Sequence, residues 1–292
     1  MWVKSVLFGY KPTISASLIQ IISKAQSAQI HYTFNHQLTP LAFKITTNQV
    51  TSTGGFLFCI ERGGDMELNK IYNGDCIDGM KNMPNESVDL IVTDPPYLIS
   101  YKTNRRKNKG HKFAKEIAND NDPSVISKYI EECYRILKND SAMYMFCSFD
   151  KVDFFKQELE KYFKIKNMIV WVKNNHTAGD LKAQFGKKYE LVFLVNKGRA
   201  LFNGKRLTDV WEFDKVSGNN QLHQNQKPLK LIEQCITKHS DVGDIVFDGF
   251  MGSGTTAIAS MRTGRGYIGF ELDEEYYKVA EQRVENELLN NN

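Results

Sequence analysis

One stretch near the C-terminus leaves the chain little choice of fold. Asp244-Ile245-Val246-Phe247-Asp248 is an apolar, β-branched run that empties into Gly249-Phe250-Met251-Gly252-Ser253-Gly254-Thr255-Thr256. A helix is predicted from Ala257 to Met261, then a second strand over Gly266-Tyr267-Ile268-Gly269-Phe270 that ends at Glu271. This β-turn-α-β unit has glycines at its first turn and an acid at the end of its second strand. Glycine lets a backbone approach a ligand closely, and a carboxylate at that strand end can bind two ribose hydroxyls.

The preceding residues continue the alternation. Lys70-Ile71-Tyr72 reads as a short strand, and Asn73-Gly74-Asp75-Cys76 as a turn opening a helix with Asp75 near its start. Val88-Asp89-Leu90-Ile91-Val92 reads as a buried strand. Asp122 and Pro123 open a helix whose apolar positions Val125, Ile126, Tyr129, Ile130, Cys133, Ile136 and Leu137 keep a helical period. Ala142 to Cys147, Met168 to Val172 and Leu191 to Val195 read as strands. Phe154 and Phe155 lie on a helix ending near Phe163, and Lys227-Pro228 precedes a helix carrying Leu229, Leu231, Ile232 and Ile236. The alternation predicts an α/β fold, a sheet with helices on both faces. Residues 173–189 and 198–226 are polar and read as loops with scattered anchors such as Trp211.

Three ligands compete for the glycine turn. Gly249 and Gly254 have Walker-A spacing, but Thr255 stands where that loop needs lysine, which disfavours a nucleoside triphosphate. Gly252, Gly254 and Ala257 satisfy a loose dinucleotide fingerprint, with Glu271 at a suitable distance. S-adenosylmethionine carries the same ribose but a methionine tail in place of a pyrophosphate, and Lys227 could neutralise that tail's carboxylate. By itself Lys227 is equally a surface lysine before a proline.

A second constellation is Thr93-Asp94-Pro95-Pro96-Tyr97. Proline fixes φ and removes a donor, so two in succession end the strand in a stiff rim. The rim bears a carboxylate, backbone carbonyls and an aromatic ring: acceptors for an amine's hydrogens and a flat surface for a flat ring. A plain strand-end turn is the competing reading.

Taken together, the Thr-Asp-Pro-Pro-Tyr turn and the Phe250-x-Gly252-x-Gly254 turn resemble the amino-group DNA methyltransferases, which methylate adenine N6 or cytosine N4. The Asp-Pro-Pro-Tyr turn comes first and the glycine turn last, an order similar to the circularly permuted β-class. The resemblance covers roughly residues 66–289, including Asn73-Gly74-Asp75, Gln226-Lys227-Pro228 and Gly269-Phe270-Glu271. Gly249 departs from it, since many relatives have proline there, and is expected to loosen the turn.

The resemblance implies a Rossmann-like S-adenosylmethionine-dependent fold, a mixed seven-stranded sheet with helices on both faces in circularly permuted order. It implies that Asp75 meets the cofactor's adenine and Glu271 its ribose, with Cys76 also among the cofactor-binding residues. Asp248, Phe250, Gly252, Ser253, Gly254 and Thr255 would meet its methionine part, with Lys227 near the carboxylate. Asp94, Pro95, Pro96 and Tyr97 would form the catalytic turn. Asp94 and the Pro95 carbonyl would accept the two hydrogens of a flipped base's amine, freeing its lone pair, while Tyr97 stacks on the ring. Asp at the motif's first position favours adenine in this family, and the absence of a Pro-Cys dipeptide argues against cytosine C5 chemistry. Cytosine N4, RNA, protein glutamine, and a binding protein that holds the cofactor without using it are the alternatives.

Residues 98–115 hold Lys102, Arg105, Arg106, Lys107, Lys109 and Lys112 with no acid among them. Such a run is ordinarily a solvated loop; beside an active-site turn it is also a candidate DNA-phosphate arm. Target recognition is expected from the loops around 98–120 and 173–226. The expected partner is double-stranded DNA, with a restriction endonuclease as a conceivable companion and a monomer or homodimer as the assembly.

A net charge of +4, 41% hydrophobic residues and no apolar run near ~18 residues are ordinary for a soluble protein and argue against a membrane class. Five scattered cysteines with no Cys-x-x-Cys pair fit reduced thiols in a cytoplasm, and no metal site is expected; the resemblance implies a bacterial or phage-encoded enzyme. Residues 1–65 are rich in Ser, Thr, Gln and Asn, with only Ile14 to Ile22 as a short candidate helix. Glu61-Arg62-Gly63-Gly64-Asp65 can be back-translated as a purine-rich run, so these residues are expected to be a non-native or disordered extension with translation starting at Met66; a genuine N-terminal appendage is the rival reading.

Overall fold

The computed structural model describes residues 43–49, 56–62, 66–98, 121–176, 182–216 and 226–290. The chain divides into two compact units, residues 1–63 and 64–292. In the first, β1 (Phe43–Gln49) and β2 (Phe56–Arg62) pair antiparallel, from Phe43 opposite Arg62 to Gln49 opposite Phe56. This hairpin was not anticipated: its strands are short, and no helical or long alternating period marks them. Ile14 to Ile22 lie outside the described residues.

The second unit is built on β3 (Lys70–Asn73), β4 (Val88–Thr93), β5 (Leu137–Cys147), β6 (Lys164–Val172), β7 (Tyr189–Lys197), β8 (Val210–Glu212), β9 (Ile245–Asp248) and β10 (Gly266–Glu271). They form one sheet in the order β3-β10-β9-β4-β5-β7-β6-β8. Pairing is parallel from β3 through β5, antiparallel around β7, and parallel again between β6 and β8. The sheet has eight strands where seven were expected. The extra one, β8, falls in a stretch read as loop. It is too short to show a period, and Trp211 holds it against the sheet opposite Trp171.

Among the described residues the helices are α1 (Cys76–Met80), α2 (Pro123–Ile136), α3 (Val152–Glu160), α4 (Leu229–His239), α5 (Thr255–Arg262) and α6 (Glu274–Asn290). Asp122 caps α2 and Pro123 occupies its first turn, where a missing N–H costs nothing. Alternation along the strands sorts the core. Ile91, Met143, Met145, Phe193 and Phe247 face α1, α2 and α3; Leu90, Val92, Ala142, Tyr144, Phe146 and Val246 face α4 and α5. A sheet covered on both sides needs apolar residues at every position, which is why β4, β5 and β7 read as continuous apolar runs.

One consequence fixes the site. From β4 the chain winds one way into β5, while the β9-β10 unit lies on the other side, so β4 and β9 flank the point where the strand order reverses. Their C-terminal ends carry the two turns singled out in the sequence, side by side.

Candidate active site

The first turn follows β4. Pro95 and Pro96 are buried, and Asp94 and Tyr97 are half-buried along one edge. The Tyr97 hydroxyl donates to Asp94 Oδ1 at 2.5 Å, and Lys227 Nζ donates to Asp94 Oδ2 at 2.5 Å and to the Tyr97 hydroxyl at 3.2 Å. Lys227 is buried just before α4, with its ammonium 5.6 Å from the Tyr97 ring centroid and 5.0 Å from that of Phe146. It also pairs with Glu190 Oε2 at 3.3 Å, and Lys173 Nζ donates to Glu190 Oε1 at 3.0 Å. Burial raises the Asp94 carboxyl; Lys227 opposes that shift and Glu190 adds to it. Burial pushes the Lys227 ammonium down, but Asp94 and Glu190 outweigh this and hold it above the usual lysine range.

The second turn follows β9. Asp248 accepts from the Phe250 N–H at 3.0 Å and from Thr256 Oγ1 at 2.6 Å, and burial pushes its carboxyl up to about 6. Gly252 and Gly254 both take positive φ, +55° and +80°, which side-chain-bearing residues rarely adopt. Glu271, at the end of β10, accepts from the Gly252 N–H at 2.7 Å and from the Asp273 N–H at 2.8 Å. Burial pushes it up to about 7. Asn73 pairs with Glu271 across β3 and β10, and the Gly74 N–H donates to the Glu271 carbonyl at 3.0 Å, which brings the Asn73-Gly74-Asp75 turn beside this carboxylate. Asp75 caps α1, accepting from the Ile77 and Asp78 N–H groups.

Not every expected residue points its side chain at the cleft. The Cys76 side chain is buried in the core between the sheet and α2, where burial raises its thiol. Ser253 and Thr255 are buried and meet Arg283 Nη1 of α6, at 3.0 and 3.4 Å, so α6 braces the turn from behind. Lys227, expected beside the glycine turn, is bonded to the proline rim. Lys102, Arg105, Arg106, Lys107 and Lys109 lie outside the described residues.

Three functional candidates went unread in the sequence. Glu190 and Lys173 extend the charge cluster behind Asp94. Tyr129, taken as an apolar helix position, joins the two turns: its hydroxyl lies 2.8 Å from Thr93 Oγ1 and accepts from the Gly249 N–H at 3.2 Å. A Cβ on Gly249 would sit 2.4 Å from the Tyr129 ring. Gly249 therefore does not loosen the turn; it is the residue that lets Tyr129 lie against it, and its N–H is one proline could not supply.

A doubly wound sheet with acid-bearing turns paired at its switch point is the architecture of α/β enzymes that bind a nucleoside-containing cofactor. The chain belongs to the DNA methylase family: the N6/N4 methylase profile matches residues 88–282. It is 31% identical over 247 residues to the type II methyltransferase M.HinfI of Haemophilus influenzae, covering 74% of this chain and 68% of that one. It is 30% identical over 256 residues to the DNA adenine methyltransferase YhdJ of Escherichia coli K12, covering 75% and 83%. Among solved structures, the complex of M1.HpyAVI with SAM shares 28% identity at a TM-score of 0.58, covering 74% of this chain and 98% of that one. The cytosine-N4-specific PvuII DNA methyltransferase, at 16% identity and a TM-score of 0.59, shares the fold. Among the described residues no helix is long and apolar enough to cross a membrane.

Proposed function

We propose that this chain transfers a methyl group from S-adenosylmethionine to the N6 amine of an adenine in double-stranded DNA. The observation that carries the reading is the pairing of Asp94 and Tyr97 on a stiff rim with the glycine turn and Glu271 across adjacent strands.

The donor set fits that cofactor. Glu271 is anchored by two backbone N–H groups, so its remaining lone pairs can meet ribose hydroxyls. Residues 248–255 contain an acid and no lysine or arginine, which suits a sulfonium better than a pyrophosphate. Asp75, Asp248, Phe250, Gly252 and Glu271 would hold it. When bound, S-adenosylmethionine supplies an electrophilic methyl group. Asp94 and the Pro95 carbonyl accept the N–H groups of the target amine and draw its nitrogen toward a tetrahedral shape. Tyr97 stacks on the base, which must leave the duplex to reach the rim. The work is positioning and electrostatic stabilisation. Asp94 acts as an acceptor that shapes the amine before any proton moves.

The bonds that Tyr97 and Lys227 make to Asp94 must be exchanged when the amine arrives. In this reading residues 98–120 and the loops within 173–226 contact the duplex, and the enzyme works in a bacterial or phage-infected cytoplasm, alone or beside a restriction endonuclease. Mass spectrometry of nucleosides from unmethylated genomic DNA, after incubation with protein and heavy-methyl S-adenosylmethionine, is the test. Labelled N6-methyladenine is expected. Labelled N4-methylcytosine would overturn the assignment of the base, and unlabelled DNA the activity.

A further inference from the structure

The cluster behind Asp94 is larger than the proposed chemistry requires. Two carboxylates, Asp94 and Glu190, share two lysines, Lys227 and Lys173, at the inner wall of the cleft. Lys227 is 7% exposed, whereas the Asp94 and Glu190 side chains keep 21% and 22% of their surface, so the lysine is the more deeply buried member of both pairs. Glu190 is fixed on β7 opposite Trp171, and its Oε1 is held by Lys173. Its Oε2 is buried, and its ion pair to the Lys227 ammonium is long, at 3.3 Å against 2.5 Å for the bond Lys227 makes to Asp94. A buried ion pair held this long has room to tighten. Here a second acceptor faces a lysine whose present partner is the carboxylate that must engage substrate.

Resting on the function proposed above, we propose that Glu190 is a positioning residue that draws Lys227 off Asp94 when Asp94 takes the target amine. A charge-assisted N–H···O bond spans about 2.8 Å, so Lys227 has to move only about half an ångström to close it. Without Glu190, the same move would strand a buried ammonium; the lysine would stay on Asp94 and weaken it as an acceptor. Lys173 keeps the receiving carboxylate oriented.

The groups facing Asp94 are Tyr97 on its own turn, Lys227 before α4, Glu190 on β7, Cys147 at the end of β5 and Asp248 on β9; Lys173 and Lys215 stand behind Glu190. Within this set the charge on Glu190 raises the Asp94 carboxyl. Removing that charge therefore lowers the pH at which Asp94 protonates, while removing Lys173 raises it.

The test uses the full chain with S-adenosylmethionine and unmethylated genomic DNA, following kcat against pH alongside cofactor affinity and thermal melting. Glu190→Gln is expected to lower kcat roughly thirtyfold, hold cofactor Kd within about threefold, and move the acid limb of the pH profile downward. Glu190→Asp should recover most of the rate, and Lys173→Met, which keeps Glu190, should move the acid limb upward. A folded Glu190→Gln protein with kcat within about threefold of wild type, or with an unmoved acid limb, overturns the inference. If Glu190→Gln does not fold, an unmoved or falling acid limb in Lys173→Met does so. Failure of the wild-type protein to label DNA would instead overturn the proposed function.

Discussion

The two turns at the switch point both hold carboxylates at a sheet edge, but they are secured by different means. At the glycine turn, Glu271 is pinned by backbone N–H groups from Gly252 and Asp273, and Asp248 by the Phe250 N–H and Thr256. Three of these four partners are backbone groups, which cannot leave without rebuilding the chain around them. At the proline rim the backbone is stiff, yet Asp94 is held by side chains: Tyr97 on one oxygen and Lys227 on the other. These partners can exchange. A surface built from backbone is fixed before its ligand arrives, whereas one built from an ion pair must release that pair to work. The glycine turn therefore suits a cofactor bound in one pose, and the proline rim suits a base that comes and goes.

Asp94→Ala tests this contrast most severely. It should reduce methyl transfer by more than about a thousandfold, since the acceptor that shapes the amine is gone, while S-adenosylmethionine Kd changes by less than about threefold. The fold should survive because Lys227 keeps Glu190 as a partner. Methylation within about tenfold of wild type would refute the role of Asp94. Loss of cofactor binding, seen by calorimetry, would show that the turns do not work separately.

That contrast was half legible in the sequence. Both turns are local: a strand, its terminal residues and their backbone tendencies lie within a dozen positions, so β4, β9 and β10 could be read with the turns between them. The partners are not local. Lys227 lies 133 residues from Asp94 and was assigned to the cofactor, because a lysine before a helix shows its charge but not which acid it meets. Glu190 opens an apolar strand, and nothing along that strand marks it as different from a solvent-facing edge residue. Tyr129 fits the helical period of α2 so well that the pattern gives its hydroxyl no separate role. Arg283 sits on α6, a largely polar helix whose one buried residue is Ala280, so no apolar stripe announced the packing that brings it to Ser253.

Glu271→Gln addresses the backbone-held side. The substitution keeps the shape but sets an amide NH2 against one of the two N–H donors, leaving one donor unmatched and one acceptor lost to the ligand. Cofactor affinity should fall roughly tenfold to a hundredfold. At saturating cofactor, kcat should change only a few-fold, opposite in pattern to Asp94→Ala. A large fall in kcat with unchanged affinity would assign Glu271 to the chemistry and dissolve the contrast.

The smallest effect separates the turns by charge. Asp94 has a cation to offset its burial, and Glu271 has none bonded to it; burial lifts Glu271 to about 7 from an ordinary value of 4.5. Between these values the folded protein holds a proton at this position that the unfolded chain has released. Stability from Glu271 is thus fully present below about pH 4.5 and is lost as pH rises through 7. Carboxylates held low by partners, such as Glu190 between two lysines, act in the opposite sense, so the wild-type curve alone mixes the two. The difference between variant and wild type isolates one group. Without cofactor, the Tm of Glu271→Gln relative to wild type should climb by a few degrees from pH 4.5 to 7.5 and then level off. A difference that stays flat or falls across that window would mean that Glu271 ionises normally in the cofactor-free protein, its two backbone N–H bonds having compensated fully for burial, where Lys227 only opposes the rise of Asp94.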